Sequence, residues 1–121
     1  MKKILIVDDE PHILKMLESR LKSMGYEVSC ASDGNEAIAK VKKDPPDLII
    51  MDVIMPSLNG FEACNRLKND TDYKHIPIIL LTAKATESDR FWGTESGADA
   101  YVTKPYHAEE LLEKVKILIG Q

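Results

Sequence analysis

Short apolar segments of this sequence repeatedly end in polar side chains that could bind a cation or a phosphate group. The residues concerned are Asp8, Asp9, Asp52, Thr82 and Lys104. Asp52 needs the most explanation, because it ends the run LIIM at 48–51, which has the composition of a strand buried on both faces. Placing a carboxylate there removes a charge from water, which is costly unless a partner compensates it.

A cation would explain why three carboxylates gather at one place. If the first and third strands are neighbours, Asp8, Asp9 and Asp52 share one crevice, and two unit charges ~4 Å apart repel by ~4 kcal/mol at an effective dielectric of 20. Lys104 supplies one positive charge. Mg²⁺ fits as the second, because it takes one or two carboxylates together with a phosphate oxygen. With Lys104 and the Thr82 hydroxyl around a phosphoryl group, Asp52 is placed as a nucleophile that forms an acyl phosphate.

Each of these residues also has an ordinary structural interpretation. An Asp or Thr after a strand commonly begins a turn or caps a helix, and a single Lys is commonly solvated. Their joint occurrence at four strand ends favours the chemical interpretation.

The sequence alternates between predicted strands and predicted helices. Apolar, β-branched runs predict strands at 4–7, 26–31, 47–52, 76–82 and 99–103. Helical spacing predicts helices from Pro11 to a cap at Gly25, over 35–43, after Gly60, over 86–96 and over 108–120. The fourth of these contains Gly93, which costs ~1 kcal/mol relative to Ala, so we expect it to be the least stable helix.

Strict alternation with short connections predicts a mainly parallel sheet covered by helices on both faces. The fold class is therefore α/β, a doubly wound three-layer sandwich. Ligands bind such sheets beyond the carboxyl ends of the strands, which is where the polar residues described above fall.

Composition limits the classes of protein to which the chain can belong. Its 121 residues predict a single domain over 1–121, and the net charge of −4 argues against sequence-independent nucleic-acid binding. The apolar run at 4–7 is too short for a secretory signal, and no membrane-spanning run occurs, so we expect a cytoplasmic protein. Cys30 and Cys64 are interpreted as small buried hydrophobic residues.

At the strand ends the sequence resembles the receiver domain of bacterial two-component response regulators. The matching motifs are Asp8-Asp9, DVIMPSLNG from Asp52, Thr82-Ala83 and Lys104-Pro105. This resemblance covers nearly the whole chain and implies a flavodoxin-like (βα)5 fold with strand order 2-1-3-4-5.

The resemblance also implies roles for individual residues. Asp52 is the phosphorylation site and accepts its phosphoryl group from a sensor histidine kinase or phosphotransfer protein. Asp9, Asp52 and the main-chain carbonyl of Ile54 bind Mg²⁺, and Asp8 assists through a water molecule on the metal. Lys104 pairs with the phosphoryl group, and its peptide bond to Pro105 is cis in relatives.

Signalling by such a domain depends on a conformational switch. Thr82 turns toward the phosphoryl group and vacates space for the ring of Tyr101, which changes the surface of the fourth helix, fifth strand and fifth helix. The resemblance therefore implies a downstream target protein and a phosphorylation-dependent dimer. Candidate contact residues are Arg90, Phe91, Trp92 and Tyr106, although for Phe91 or Trp92 taken alone the favoured interpretation is that the side chain packs into the core. His12, His75 and His107 match no functional position and are interpreted as ordinary surface or packing residues. Such a domain catalyses only its own phosphorylation and dephosphorylation.

Two positions bear on how long the acyl phosphate lasts. Ile54 and Lys84 occupy the places from which relatives influence the attacking water, and Ile54 offers that water no polar group. We predict slower self-dephosphorylation than in Ile54→Asn, and equal or faster decay in the unmodified protein would contradict this. The alternative is that Ile54 only packs beside its loop.

Other classes of protein share parts of this pattern. The chain could be a receiver domain cut from a longer DNA-binding or enzymatic response regulator. A flavodoxin-like flavin binder needs a phosphate loop in place of DDEPH. An Mg²⁺-dependent phosphatase carries a D-x-D motif after its first strand, which is absent here. A receiver-like module that is never phosphorylated is disfavoured because every matched position is filled.

Overall fold

The computed structural model describes residues 1–82, 96–104 and 107–120. Within these residues the chain forms five strands and four helices. The elements are β1 (Lys3–Val7), α1 (Pro11–Ser23), β2 (Glu27–Ala31), α2 (Gly34–Lys43), β3 (Leu48–Asp52), α3 (Gly60–Lys68), β4 (Ile78–Thr82), β5 (Ala100–Thr103) and α4 (Ala108–Ile119). α4 is the fifth predicted helix, and the fourth predicted helix, at 86–96, falls almost entirely outside the described residues.

All five strands belong to one parallel sheet in the order β2-β1-β3-β4-β5. The predicted doubly wound α/β fold and its strand order are therefore confirmed. Val7 pairs with Met51 across β1 and β3, and Asp52 pairs with Leu81 across β3 and β4. This register brings the carboxyl ends of β1, β3 and β4 to one edge of the sheet.

Helices cover both faces of the sheet, as doubly wound folds require. One apolar layer joins α2 and α3 to side chains such as Val7, Ile49 and Met51. The other joins α1 and α4 to the alternate side chains of the same strands, among them Ile6 and Ile50. All five residues of β3 and all five of β4 are buried, in agreement with the uninterrupted apolar runs in the sequence.

Four strands, β2 to β5, begin one or two residues later than the sequence pattern predicts. β4 starts at Ile78 rather than at 76, because the Ile76 N–H completes a turn onto the Tyr73 carbonyl, 3.0 Å away. β5 starts at Ala100 rather than at 99, because Asp99 uses its carboxylate to join other elements. Its Oδ2 accepts from the Ile78 N–H at 2.8 Å and lies 2.7 Å from Nζ of Lys68 on α3.

Residues at the helix ends explain where the helices start and stop. Pro11 opens α1, and Gly25 follows its last turn with a φ of +94°. The N–H groups of Gly25 and Tyr26 donate to the carbonyls of Lys22 and Leu21, which is a Schellman motif. This confirms the predicted cap at Gly25.

The amino ends of α2 and α3 carry side-chain caps. Asp33 accepts from the Glu36 N–H at 2.8 Å, and Asn59 accepts from the Glu62 N–H at 2.9 Å. Such caps satisfy N–H groups that have no partner within the helix and typically contribute about 1 kcal/mol. α2 therefore begins at Gly34, one residue before the predicted start.

The cysteine prediction is half right. Cys64 is fully buried in α3, but Cys30 is partly exposed, and both are free thiols. Cys30 lies on β2, an edge strand that helices cover less completely than β3 or β4. On this edge, Nζ of Lys40 donates to the Cys30 carbonyl oxygen.

Surface exposure and helix length bear on two other sequence predictions. The three histidines, His12, His75 and His107, are exposed, so of the surface or packing positions expected for them the structure shows surface positions. Among the helices described, none combines the length and apolar character needed to cross a membrane.

Candidate functional site

The strand register brings three carboxylates together at the carboxyl edge of the sheet. Asp8 directly follows Val7, whose partner Met51 directly precedes Asp52, so Asp8 and Asp52 emerge side by side from neighbouring strands. One oxygen from each of Asp8, Asp9 and Asp52 lies within 4.8 Å of the others. The prediction that these acids converge is correct.

The three carboxylates differ in their environments. Asp8 and Asp52 are 1% and 6% exposed, whereas Asp9 projects into solvent. Desolvation is the main cause that raises the pKa of Asp8 above its ordinary value, and the nearby Asp52 adds to the effect; a hydrogen bond from the Glu10 main chain opposes it. The buried Asp8 carboxylate therefore exists at an energetic cost.

One oxygen of Asp8 has a partner and the other does not. Its Oδ1 accepts from the Glu10 N–H at 2.9 Å. Its Oδ2 is buried and has no hydrogen-bond partner within the described parts of the chain. Buried polar atoms are nearly always paired, so an unpaired carboxylate oxygen facing two other carboxylates fits a site for a cation.

Lys104 brings a positive charge to the same edge. Its Nζ lies 3.2 Å from Oδ2 of Asp52, and its side chain is one-third exposed. Its main-chain N–H donates to the Thr82 carbonyl at 2.7 Å, which fixes the chain just after β5 against the end of β4. The structure thus brings Lys104 to Asp52, and it buries Thr82 at the end of β4, as the sequence predicts.

The donor set matches a hard divalent cation. Among the described residues, three carboxylates lie around one crevice with one ammonium group near Asp52, which leaves negative charge uncompensated within this part of the chain. Oxygen-only ligands favour Mg²⁺ or Ca²⁺ over softer metals. Asp8, Asp9 and Asp52 could hold such an ion.

The loop from Val53 to Asn59 carries Ile54, the predicted carbonyl ligand. Ile54 is 68% exposed, so it does not pack into the apolar core; whether it only packs beside its loop is decided by the Ile54→Asn comparison. Its neighbours Val53 and Met55 are buried and anchor the loop on either side. At the tip, Ser57 adopts a φ of +67°, which few residues other than Gly adopt.

Gly60 closes this loop, and sequence reasoning assigned it no role beyond a motif match. Its N–H donates to the Val53 carbonyl at 2.9 Å. A Cβ at position 60 would lie 2.3 Å from the Asp52 main-chain oxygen. Only glycine therefore allows α3 to begin so close to Asp52.

Tyr101, the predicted switch residue, is partly buried and packs against the apolar layer under α2 and α3. Other predicted residues cannot be compared with the structure. These are Ala83, Lys84, Arg90, Phe91, Trp92, Pro105 and Tyr106, which lie outside the described residues. The cis peptide before Pro105 and the contact residues of the fourth predicted helix remain predictions.

Comparison with known proteins agrees with this site. Residues 4–116 match the family model described as the response regulator receiver domain. The chain belongs to this family, the receiver domains of two-component response regulators. It is accordingly a signalling domain rather than an enzyme in the usual sense.

The curated relatives are longer than this chain. The chain is 46% identical over 118 residues to a probable transcriptional regulator, ycf27, of Cyanophora paradoxa. The match covers 98% of this chain and 48% of the relative, so the chain spans about half the length of the curated relatives it matches.

Solved receiver structures have the same fold. The chemotaxis response regulator CheY4 of Vibrio cholerae is 38% identical, with a TM-score of 0.91 and 98% of each chain covered. The receiver domain of sensor histidine kinase PA1611 from Pseudomonas aeruginosa PAO1 is 32% identical, with a TM-score of 0.90, covering 99% of this chain and 98% of that one. The latter has a magnesium ion coordinated in its active-site cleft.

Proposed function

We propose that Asp52 accepts a phosphoryl group from a phosphohistidine of a sensor histidine kinase or phosphotransfer protein. The observation that carries the proposal is the convergence of Asp8, Asp9 and Asp52 within 4.8 Å, with the Lys104 ammonium 3.2 Å from Asp52. A structural salt bridge would explain why Lys104 lies beside Asp52. It would not explain why the carboxylates of Asp8 and Asp9 lie beside Asp52 as well.

The catalytic work falls to Asp52, Lys104 and Thr82. A carboxylate oxygen of Asp52 forms a bond to phosphorus as the bond from phosphorus to the donor nitrogen breaks, and the imidazole leaves with the electron pair. Lys104 stabilises the negative charge on the transferred group, and the Thr82 hydroxyl donates to one of its oxygens. Burial of Asp52 limits competing water at this position.

Mg²⁺ is the proposed cofactor, with Asp8, Asp9, Asp52 and the Ile54 carbonyl as its protein ligands or their supports. When bound, the ion neutralises carboxylate and phosphoryl charge and orients the reacting oxygens. The unpaired, buried Oδ2 of Asp8 supports this assignment independently of the family.

Phosphorylation then becomes a signal through Thr82 and Tyr101. Thr82 is buried at the end of β4, and Tyr101 pairs with Leu80 on the adjacent strand. Movement of the Thr82 hydroxyl toward the phosphoryl group would free space for the Tyr101 ring and alter the surface around β5 and α4. That surface would bind a downstream target protein or a second receiver.

The extent of the natural protein is a separate part of the proposal. We propose one receiver domain over 1–121, either standing alone or joined to an effector, as in a longer DNA-binding regulator. The curated relatives named as transcriptional regulators, of which the chain spans about half, support the second arrangement.

Intact mass spectrometry tests the proposal directly. The protein is incubated with Mg²⁺ and acetyl phosphate or phosphoramidate, with Asp52→Asn as the site variant and Asp47→Asn as an exposed control. We expect one hydroxylamine-labile phosphoryl group on the unmodified chain and on Asp47→Asn, but none on Asp52→Asn. Equal labelling of the Asp52 variant, or labelling unaffected by chelation of Mg²⁺, would contradict the proposal.

A further inference from the structure

The loop that carries Ile54 makes a contact outside the site described so far. Gly34, the first residue of α2, donates its N–H to the Leu58 carbonyl at 3.2 Å. The N–H groups in the first turn of a helix have no partner within the helix, so this donor is available to another segment. α2 thus uses a free N–H group to bind the loop between β3 and α3.

The approach at this contact is too close for any side chain at position 34. A Cβ on Gly34 would lie 2.4 Å from the Leu58 carbonyl oxygen and 3.0 Å from the Leu58 Cβ. Both residues are buried, and Leu58 belongs to the apolar layer under α2 and α3. A substitution at Gly34 must therefore displace either the loop or the start of α2.

The start of α2 resists displacement more than the loop does. Asp33 caps the Glu36 N–H, and the Glu36 carboxylate in turn accepts from the main-chain and side-chain donors of Ser32. The loop is fixed at its ends by the Gly60–Val53 hydrogen bond, but its tip beside Leu58 has more freedom, since Ser57 is exposed and adopts a positive φ. A side chain at position 34 would consequently push the loop away from the helix.

We propose that Gly34 is a positioning residue for the cation site. Two contacts fix the segment 53–58. Gly34 holds it at Leu58, and the hydrogen bond from Gly60 holds it at Val53. That segment includes Ile54, whose carbonyl is the proposed main-chain ligand. The inference rests on the proposed function and extends it to a residue of α2 that touches neither the metal nor the phosphoryl group.

Gly34→Ala and Gly25→Ala form a matched pair of variants. Gly25 has a φ of +94° and no atom within 4 Å of an added Cβ, so alanine there strains the backbone without pushing on a neighbour. It precedes β2, at the opposite end of the sheet from the carboxylates. Gly34→Ala acts through its contact with the loop.

The measurement is Mg²⁺ affinity by isothermal titration calorimetry, with thermal unfolding recorded for each variant. We expect Gly34→Ala to weaken Mg²⁺ binding by about 10-fold, the lower end of the effect of removing a supporting group behind a metal ligand. Gly25→Ala should lower the melting temperature and leave the affinity unchanged. Unchanged affinity in a folded Gly34→Ala, or equal weakening in both variants, would overturn the proposal.

A measurement on the unmodified protein covers the case in which Gly34→Ala does not fold. In a ¹H–¹⁵N spectrum titrated with Mg²⁺, the amide resonances of Gly34 and Gly60 should shift together and saturate with the calorimetric affinity, while that of Gly25 stays in place. A Gly34 resonance that stays in place while that of Gly60 shifts would overturn the inference. Absence of any Mg²⁺ binding to the unmodified chain would instead contradict the proposed function.

Discussion

Asp8 bears an electrostatic cost at the candidate site. Its carboxylate is buried, lies near Asp52 and Asp9, and has one oxygen unpaired within the described residues. Active sites commonly retain such unfavourable groups because function requires them. The cost should therefore be measurable as stability gained when the charge is removed.

Asp8→Asn should raise the free energy of unfolding in metal-free buffer by about 1 kcal/mol. The amide keeps the acceptor for the Glu10 N–H, removes one negative charge from the cluster and can donate toward Asp52. Urea unfolding with and without Mg²⁺ measures the effect. Mg²⁺ stabilises the protein only by binding to its native state, so a variant that lacks one of the carboxylates of the site should gain less stability from Mg²⁺ than the unmodified chain does. A variant that is less stable without metal would contradict this account.

Cys64 gives a pH-dependent contribution to stability that is independent of the site. Burial raises the pKa of its thiol from 9.0 to about 11, so the native state retains a proton that the unfolded chain loses. The resulting stabilisation is complete below pH 9 and is lost as the pH rises toward 11.

The difference in unfolding free energy between the unmodified chain and Cys64→Ala should therefore fall by about 1 kcal/mol between pH 8 and pH 10. Comparing the two chains cancels the titration of groups that they share. Urea titrations at both pH values measure the difference. A difference that stays constant over this range would show that the thiol titrates alike in the folded and unfolded chains.

The elements around the β3–α3 loop determine how accurately the site is formed. β3 delivers Asp52, and α3 starts at Gly60, only eight residues later in the sequence. The intervening loop is closed by the Gly60–Val53 hydrogen bond and by the Asn59 cap. Substitutions at the adjacent residues Asn59 and Gly60 should have different consequences.

Gly60→Ala should destabilise the fold by about 2 kcal/mol, because the added Cβ would meet the Asp52 carbonyl at 2.3 Å and the main chain must move. Asn59→Ala, the neighbouring control, should cost about 1 kcal/mol through loss of its cap. Only Gly60→Ala should also abolish labelling of Asp52 by acetyl phosphate. Chemical denaturation and intact mass measure the two effects. Full labelling of a folded Gly60→Ala would contradict this role for Gly60.

The sequence predicts most elements well because β3 and β4 are apolar up to their last residue, and because α1 begins at Pro11 and ends before Gly25. It fails where the outcome depends on contacts between distant segments. Cys30 is partly exposed because β2 lies at an edge of the sheet, and the local composition of a strand does not show how completely helices cover such an edge. The contact between Gly34 and Leu58 joins residues on different crossovers, and only the folded chain shows that no Cβ fits between them.

At the scale of the whole molecule, the proposed switch must change the relative stability of two conformations. Moving such an equilibrium from 1:99 to 99:1 takes ~5.5 kcal/mol, whereas one hydrogen bond to a charged group contributes ~1.5–3 kcal/mol. Thr82 alone is therefore insufficient, and Lys104 must supply much of the remainder.

Thr82→Ala should still accept a phosphoryl group on Asp52 but should complete only part of the conformational change. In ¹H–¹⁵N spectra, we expect the phosphorylated variant to show resonances of β5 and α4 between their unphosphorylated and fully switched positions. Thr103→Ala, at the end of the neighbouring strand, is the control and should switch fully. A complete switch in Thr82→Ala would remove Thr82 from the mechanism.

The Lys40 contact on β2 affects how copies of the protein behave when they are crowded together. An exposed strand edge offers main-chain groups onto which another polypeptide can add, and this is a common route to aggregation. By occupying the Cys30 carbonyl with a charged side chain, Lys40 obstructs such growth of the sheet. The β2 edge thus offers one main-chain acceptor fewer to the strand of a neighbouring copy.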